Sequence, residues 1–405
     1  MSTLSVDVCV VGAGPVGAAL ACRLAQAGIA TAVIDRAPLP PMERPEFDGR
    51  AYAIAAGSRR LLEAAGVWGV LPLPTGPILD IRITDGRVGR RAAPLFLHFD
   101  HREAGDEPFG WMVEARSLRQ ALNAHMHRLP ALSVHAPAHA SVERRPDLAI
   151  VRLQDGPTIA ARLVVAAEGR SSPLRRAAGI PVTGWPYAQT SIVCAIAHER
   201  PHHGTALEHF LPTGPFAQLP MAATEAGDNI SAIVWTERRA LAGRMIGLDA
   251  AAFGREIARR LGAHLGAVRP VGRRWIYALG AQFAHRYVDM RLALAGDAAH
   301  GIHPIAGQGL NLGFRDAAAL AGLMIEAVEG GGDPGAPALL ARYQRMRRPD
   351  NLLMLAATDG LDRLFSTDLP PVRLARDLGI AAVNRMPPLK RLFMRQAMGR
   401  LGAAP

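Results

Sequence analysis

The segment GDAAHGIHPIAGQGLN, residues 296–311, gathers residue types that bind metals, phosphates or flat aromatic cofactors. Asp297 follows the short apolar run LALAG, and two residues separate His300 from His303. The tail IAGQGLN is rich in glycine and leads into an apolar helical pattern. The segment could therefore belong to a metal centre, a phosphate site or a flavin site.

A metal centre fits this segment least well. Pro304 and the neighbouring glycines oppose a continuous helix that would hold His300 and His303 on one face. No nearby pattern of carboxylates and histidines supplies a third ligand. We therefore expect no metal site, and we expect each histidine to have an ordinary hydrogen-bonded structural role.

A flavin site fits the same residues better. Asp297 is expected at the carboxyl end of a buried strand, where ligands bind in open α/β sheets. The following loop would open backbone N–H groups onto a helix that begins near Leu310, and a helix N-terminus stabilises negative charge such as that of a reduced flavin. The candidates for a loop over the flavin ring are Pro304, Gly307, Gln308 and Gly309.

A second cofactor signature lies near the N-terminus. Gly12, Gly14 and Gly17 form G-x-G-x-x-G between a predicted strand and a predicted helix. The first glycine allows the tight turn, the second lets the backbone approach a pyrophosphate, and the third lets the helix pack on the strand. Asp35 ends the next strand, where its carboxylate can accept hydrogen bonds from a ribose. The pattern predicts a dinucleotide site, and the adjacent Arg36 does not distinguish NAD from FAD.

The bulk composition is that of a soluble globular protein. The 405 residues are 49% hydrophobic and 20% charged, which allows a sizeable core and two interlocked domains. Three scattered cysteines form no CxxC pair, which argues against disulfides and indicates a reducing, cytoplasmic environment. We expect neither a signal sequence nor a membrane-spanning helix, because the apolar runs are too short or too broken by glycine.

The net charge of +11 is concentrated at the C-terminal end. Residues 338–405 carry 12 basic and 5 acidic side chains, hence +7 of the total. The region lacks the aromatic side chains and motifs of nucleic-acid binding, so we expect no nucleic acid as a partner. An anionic membrane surface is the better partner, and a merely solvated face is the alternative.

The motifs resemble those of flavoprotein aromatic hydroxylases, specifically the ubiquinone-biosynthesis hydroxylases of the UbiH/UbiF/VisC type. The resemblance extends over nearly the whole chain, and the 296–316 block and the last stretch below are its most specific parts. Besides the glycine fingerprint, the matching stretches are FDGRAYAIAAGSRRLLEAAGVW, WMVEARSLRQAL, LVVAAEGRSSPLR, FLPTGPFAQLP, LALAGDAAHGIHPIAGQGLNLGFRDAAAL and RRPDNLLMLAATDGLDRLFS.

The resemblance implies that FAD is the dinucleotide. The glycines and Asp35 would then hold its adenosine and pyrophosphate, Asp297 its ribityl or pyrophosphate region, and residues 304–311 would border the isoalloxazine ring. Arg50 and Arg116 are further candidates for contacts to FAD. The complete cofactor-binding set is Gly12, Gly14, Gly17, Asp35, Arg36, Arg50, Arg116, Asp297, Gly309, Leu310 and Asn311.

The resemblance also implies an α/β fold. We expect a Rossmann-like, glutathione-reductase-like FAD-binding domain, interleaved with a mixed-sheet substrate domain and followed by a helical C-terminal tail. The predicted segments are 1–75 for the first part of the FAD domain, 76–180 for a mixed segment completing it, 181–275 for the β-rich substrate domain, 276–335 for the flavin-proximal part and 336–405 for the basic helical region.

One position departs from the family pattern. The family usually has Asp-Gly in its second signature, whereas Glu168 precedes Gly169 and Arg170 here. Glutamate keeps the charge but adds a methylene group. A contact of this carboxylate to the cofactor, to a neighbouring arginine or to NAD(P)H must therefore shift.

The activity implied by the resemblance is that of an FAD-dependent monooxygenase. It would hydroxylate the aromatic ring of a polyprenylated phenol in ubiquinone biosynthesis, using NAD(P)H and O₂ through a flavin hydroperoxide. Because the cofactor carries the chemistry, no residue is expected to act as a catalytic acid or base. The candidates for lining the substrate pocket are Phe210, Phe216 and Leu219, and core packing is the alternative for each.

A polyprenylated substrate resides in the membrane, so the basic C-terminal region would dock on a bilayer or on a ubiquinone-biosynthesis complex. The expected location is cytoplasmic, peripheral on the inner face of the cytoplasmic membrane. Two rival functions remain, a flavin hydroxylase of another small phenol and a flavin-binding accessory subunit of a biosynthetic complex. An NAD-dependent dehydrogenase is disfavoured by the 296–311 segment.

Overall fold

A computed structural model describes residues 3–39, 46–89, 96–366 and 386–399, apart from the side chain of Ala306. The predicted α/β architecture is confirmed, because sheets of mixed topology are covered by helices and the described chain ends in a helical region. The helices are α1 (Pro15–Gln26), α2 (Ala56–Ala64), α3 (Ala115–Met126), α4 (Pro173–Ala177), α5 (Arg239–Ile246), α6 (Ala250–Leu261), α7 (Gln308–Glu329), α8 (Pro337–Phe365) and α9 (Pro387–Ala397).

The first sheet holds the glycine fingerprint. Its strands are β1 (Thr3–Val11), β2 (Thr31–Ile34), β8 (Leu132–His135), β9 (Ala140–Arg144), β10 (Ala149–Leu153), β11 (Thr158–Ala166), β17 (Val288–Asp289) and β18 (Leu292–Leu294). The path β18-β11-β1-β2-β8 is parallel, and β17, β10 and β9 extend the sheet with antiparallel pairs. The central strands are buried on both faces, which is why they are almost continuously apolar.

The second sheet is the larger layer in which a substrate domain was expected. Its strands are β5 (Asp80–Asp85), β6 (Phe96–Asp100), β12 (Val182–His198), β13 (Thr205–Leu211), β14 (Gly214–Pro220), β15 (Asn229–Arg238), β16 (Val268–Ala284) and β19 (His300–Gly301), in the order β19-β16-β12-β15-β14-β13-β5-β6. A third, small sheet contains β3 (Ala51–Ala55), β7 (Gly110–Glu114) and β4 (Gly76–Ile78).

The two faces of the second sheet pack against different partners. One face, with Phe216 and Trp235, packs against Ala242 of α5 and against Phe253 and Ile257 of α6. The other face belongs to a second apolar cluster, which we call the interlayer cluster. Its buried members include Trp111, Met112, Phe210, Ala232, Ile305 and Phe365.

The domain boundaries differ from the prediction in two respects. Segment 76–180 was expected to complete the FAD domain, but its strands β5 and β6 belong to the second sheet, where β5 pairs with β13. The second sheet also extends past the predicted limit of 275, because β16 continues to Ala284. Alternating apolar residues reveal that a strand exists, but not which distant strand pairs with it.

The C-terminal region is helical where the structure describes it. Pro337 begins α8 and Pro387 begins α9, and both prolines occupy first-turn positions where their missing N–H is tolerated. The rest of the predicted tail, residues 367–385 and 400–405, lies outside the described residues. Among the described helices, none is both long enough and apolar enough to cross a membrane.

Candidate cofactor and substrate site

The three fingerprint glycines have different surroundings. Gly12 has a φ of +107°, and a Cβ atom there would collide with the carbonyl of Ala167, the residue after β11. A Cβ at Gly17 would collide with the carbonyl of Gly12, so the helix can approach the strand only with glycine at this position. A Cβ at Gly14 would meet nothing within 4 Å. Gly14 therefore borders open space, whereas its two neighbours are required by packing.

The N-terminus of α1 is open to an anion. Gly14 is its N-cap, no side chain caps the helix, and the first turn contains no acidic residue. The unpaired N–H groups and the helix dipole at such an end favour negative charge. An open glycine next to an uncapped helix N-terminus suits a pyrophosphate.

Asp35 lies beside this turn and fixes it. Its Oδ2 accepts a hydrogen bond from the Ala13 N–H at 2.7 Å, and its Oδ1 accepts one from the Ala37 N–H at 2.8 Å. Each oxygen keeps a further lone pair that a ribose hydroxyl can use. Arg36 is exposed beside it.

Asp297 lies three residues after β18, in a 3-10 turn formed by Gly296–Ala298. Its side chain is 55% exposed, and its Oδ2 lies 3.6 Å from the Nε of Arg170. Two side chains hold the backbone of this turn by hydrogen bonds. The Arg175 Nη1 donates to the Ala298 carbonyl, and the Gln282 Nε2 donates to the Asp297 carbonyl. The carboxylate is thus held at the surface by a rigid turn and stays accessible to a ligand.

The predicted flavin loop leads into a second open helix N-terminus. Pro304 precedes the 3-10 turn Ile305–Gly307, and Gly307, with a φ of +61°, is the N-cap of α7. The helix begins at Gln308, has no side-chain cap and has no acid in its first turn. A Cβ at Gly309 would meet nothing within 4 Å, so this turn also borders open space. The loop can therefore offer N–H groups to the electron-rich edge of a ring.

Asn311 serves the loop in a way that the sequence did not indicate. Its Oδ1 accepts a hydrogen bond from the Ala55 N–H, and its Nδ2 donates to the carbonyls of Ala53 and Gly307, at 2.9 to 3.2 Å. The residue is buried, whereas the neighbouring Leu310 is half-buried. Asn311 therefore joins the start of α7 to β3 and fixes the position of the loop.

The two candidate arginines lie near each other, because the N–H of Ala115 donates to the carbonyl of Arg50. Arg50 forms a 2.7 Å ion pair with Asp48, and its guanidinium lies 4.4 Å from the ring centre of Trp275. Arg116 pairs with Glu114 at 2.6 Å. Both side chains are partly exposed and are held by carboxylates, which orients each guanidinium.

Glu168, the departure from the family pattern, contacts its own segment. Its carboxylate accepts hydrogen bonds from the hydroxyl of Ser172 and the N–H of Leu174 at the start of α4. Burial raises the pKa of Glu168, and these two hydrogen bonds oppose that effect. The longer side chain thus reaches the first turn of the next helix.

The three candidates for lining the substrate pocket lie on different faces of the second sheet. Phe210 belongs to the interlayer cluster, where it stacks on Phe365 at 3.9 Å between ring centres, and Leu219 packs against the same cluster. Phe216 is fully buried on the opposite face against Trp235. Successive strand residues point to opposite faces, so Phe216 cannot line the side that Ile305 of the flavin loop joins.

Comparison with known proteins identifies the family. Residues 5–357 match the model of the FAD binding domain. The chain is 53% identical to the ubiquinone hydroxylase UbiL of Rhodospirillum rubrum, over 98% of this chain and 91% of that protein. It is 35% identical to the 3-demethoxyubiquinol 3-hydroxylase of Escherichia coli, over 98% of this chain and 100% of that protein. The chain belongs to the family of FAD-dependent monooxygenases.

Solved structures agree on the fold. The p-nitrophenol 4-monooxygenase PnpA of Pseudomonas putida superimposes with a TM-score of 0.78 at 20% identity, and the match covers 100% of both chains. The residues described above fit the family's cofactor, since Gly14 and Gly309 both face open space beside uncapped helix N-termini. The first end suits the pyrophosphate of FAD and the second suits its ring.

A buried polar network lies behind the loop, and it was not predicted from the sequence. Asp316 of α7 is fully buried and accepts hydrogen bonds from the N–H of Gly296 and from the side chains of His300, Arg347 and Asn351, at 2.6 to 3.1 Å. Burial by itself raises the pKa of Asp316, but His300 and Arg347 lower it to about 2. The network joins the Asp297 turn, α7 and α8.

His303 lies in a second buried cluster next to Pro304. Its Nε2 lies 3.3 Å from the Oε1 of Gln189 and 3.6 Å from the Oδ1 of Asp362, and its Nδ1 has no partner among the described residues. Burial lowers the pKa of His303, and the neighbouring aspartates oppose that effect. The expected hydrogen-bonded structural role therefore describes the Nε2 atoms of His300 and His303.

Proposed function

We propose that this monooxygenase hydroxylates the aromatic ring of a polyprenylated phenol in ubiquinone biosynthesis, with NAD(P)H as electron donor. The observation that carries the proposal is the apolar interlayer cluster, which brings Phe210 on the sheet to the same cluster as Ile305 of the flavin loop. An apolar wall beside the ring suits an apolar phenol and excludes water. The names of the ubiquinone hydroxylases that match the full chain support the same substrate class.

Two helix N-termini of this chain would bind different parts of FAD. The N-terminus of α1 would hold the pyrophosphate, and Asp35 a ribose hydroxyl. The N-terminus of α7 would face the ring and stabilise negative charge on it, while Asn311 holds that end in place. FAD, when bound, supplies the redox chemistry that activates dioxygen.

The C-terminal helices support a proposal about location. Four exposed apolar side chains on α8 are separated by seven, eight and three positions. These spacings place them on one side of the helix, where they form a stripe. The apolar members are Met346, Leu353, Leu361 and Leu364, and the exposed basic side chains on the same helix are Arg342, Arg345 and Arg363. We propose that this stripe docks the protein on the anionic inner face of the cytoplasmic membrane, where the substrate resides.

The first experiment is the visible absorption spectrum of the purified protein, followed by the quinone-lipid profile of cells that lack it. We expect flavin bands and an accumulated prenylated phenol that lacks one hydroxyl group, corrected by the wild-type gene but not by Gly14→Asp. The mass of the accumulated lipid identifies the missing step.

Two outcomes would contradict the proposal. A flavin-containing protein with a normal quinone profile, and with turnover of a soluble phenol, would assign a different small phenol as substrate. Bound FAD without substrate-dependent NAD(P)H oxidation, even with partner proteins added, would indicate a flavin-binding accessory subunit instead.

A further inference from the structure

Glu208 is a charged residue on the apolar face of the second sheet. It lies on β13 between Ala206 and Phe210, both buried members of the interlayer cluster. Alternate residues of a strand share a face, so the Glu208 side chain is directed to this cluster, whereas His209 is directed to the opposite side. Glu208 therefore lies on the face of the sheet that packs in the same cluster as Ile305 of the flavin loop.

The neighbours of Glu208 on adjacent strands are apolar. Ala217 of β14 and Ile83 of β5 stand opposite it in register, and Val234 of β15 stands opposite Ala217. Among the residues that the structure describes, none forms a hydrogen bond or an ion pair with the Glu208 carboxylate. A carboxylate without a partner in apolar surroundings is destabilising, so packing alone does not explain this residue.

The exposure of Glu208 indicates that it borders a space. Ala206 and Phe210 on either side of it along this face are buried, whereas Glu208 keeps partial exposure. Burial raises the pKa of Glu208 to about 7. A carboxyl group with such a pKa can both accept and return a proton near neutral pH.

We propose that Glu208 is the base that binds the phenol hydroxyl of the substrate and takes its proton as the ring is hydroxylated. This inference rests on the proposed phenol hydroxylation. It also adds an acid–base residue where the family resemblance implied none. A hydrogen bond from the phenol to an ionised carboxylate would orient the ring at the apolar wall and make the ring more electron-rich.

The proton transfer is balanced within the proposed reaction. The phenol O–H bond breaks, its proton moves to a Glu208 oxygen, and its electron pair passes into the ring as a ring carbon forms the new bond to oxygen. That oxygen atom comes from dioxygen, and the other leaves as water. NAD(P)H supplies two electrons and one hydrogen, and solvent supplies the two further protons that the new hydroxyl group and the water require. The ring carbon then releases its hydrogen to solvent as a proton, and Glu208 returns its proton to the substrate oxygen.

The test compares a short-chain prenylated phenol with its O-methyl ether, which cannot donate a hydrogen bond. Binding of each to the FAD-loaded protein is followed by the change in flavin absorption between pH 6 and pH 9. We expect the wild type to bind the phenol 10- to 100-fold more tightly than the ether at pH 8, as for a hydrogen bond to a charged group. Glu208→Gln should reduce this preference to less than about threefold and leave ether binding unchanged.

The pH dependence gives a second readout. In the wild type the preference for the phenol, and kcat/KM for its hydroxylation, should fall as the pH drops below about 7, because Glu208 becomes protonated. In Glu208→Gln, neither the preference for the phenol nor kcat/KM should show this fall below about pH 7. The control His209→Gln changes the next residue of β13 on the opposite face and should keep the wild-type profile.

The outcomes separate this proposal from the proposed function. If the wild type hydroxylates the phenol but Glu208→Gln keeps both the phenol preference and the acidic fall, the proposal for Glu208 is wrong. If the wild type neither binds nor hydroxylates any prenylated phenol, the proposed function itself fails. Thermal unfolding at pH 8 checks folding, and Glu208→Gln should unfold at the same or a higher temperature because it removes a buried charge.

Discussion

Asp316 and Arg347 form a buried ion pair, with 2.9 Å between the Oδ1 of the aspartate and the Nε of the arginine. The pair joins α7, which begins at the predicted flavin loop, to α8 of the C-terminal region. The same carboxylate accepts the N–H of Gly296, next to Asp297. The position of the cofactor-facing turns therefore depends on a charge pair that does not itself face the cofactor.

Replacing Asp316 by asparagine should lower the free energy of unfolding by about 3 kcal/mol, because the buried Arg347 loses its main counter-charge. Urea unfolding at pH 7 measures this change. The matched control is Asp350→Asn, which removes the more exposed partner of Arg347 and should cost about 1 kcal/mol. Equal effects of the two variants would show that the buried pair contributes no more to the free energy of unfolding than the more exposed pair.

The same pair predicts how stability depends on acid. The pKa of Asp316 is about 2 in the folded protein, below its ordinary value of 3.8. A lowered carboxyl pKa contributes stability above the unfolded pKa, and this contribution is lost as the pH falls from about 4 towards 2. The difference in unfolding free energy between wild type and Asp316→Asn should shrink over this range. A difference that stays constant from pH 5 to pH 2 would contradict the prediction.

The glycine fingerprint predicts a loss of stability at one position and a loss of FAD binding at another. Gly17→Ala should destabilise the protein by about 1 to 3 kcal/mol, because the added methyl group collides with the Gly12 carbonyl. Gly14→Asp should keep the stability of the cofactor-free protein, since aspartate is a good N-cap, but should weaken FAD binding at least tenfold by repelling the pyrophosphate. Thermal unfolding and FAD titration separate the two effects. Unchanged FAD affinity in Gly14→Asp would place the pyrophosphate elsewhere.

The sequence predicted the parts of the site that depend on local pattern. The fingerprint glycines, the end of β18 before Asp297 and the helix after Gly307 follow from residues close together in the chain. Pairings between distant segments could not be predicted in the same way. Residue types alone do not show that β5 joins β13, that Phe216 lies on the face opposite Phe210, or that Asp316 meets Arg347.

Asn311→Ala should loosen the flavin loop. The change removes two hydrogen bonds that join α7 to β3 and one to the carbonyl of Gly307, and it leaves the buried N–H of Ala55 without its acceptor, at a cost of about 2 to 3 kcal/mol in unfolding free energy. Asn311→Asp keeps an acceptor for the Ala55 N–H but loses both donated hydrogen bonds. Its effect on FAD affinity and on stability should therefore differ from that of Asn311→Ala. FAD titration together with urea unfolding measures both. Full stability in Asn311→Ala would show that the loop is held by other contacts.

The exposed stripe on α8 predicts the behaviour of the protein on lipid vesicles. Leu353→Glu combined with Leu361→Glu places two negative charges in the stripe and removes two apolar side chains that are 68% and 39% exposed. Because both changes oppose insertion into an anionic surface, binding to vesicles that contain phosphatidylserine should fall about tenfold or more in cosedimentation. The control Met290→Glu changes an apolar residue that is 45% exposed, next to the first sheet, and should bind like the wild type. Vesicle binding that is lost equally in both variants would show a general charge effect, and binding retained in the double variant would assign the stripe to a protein partner.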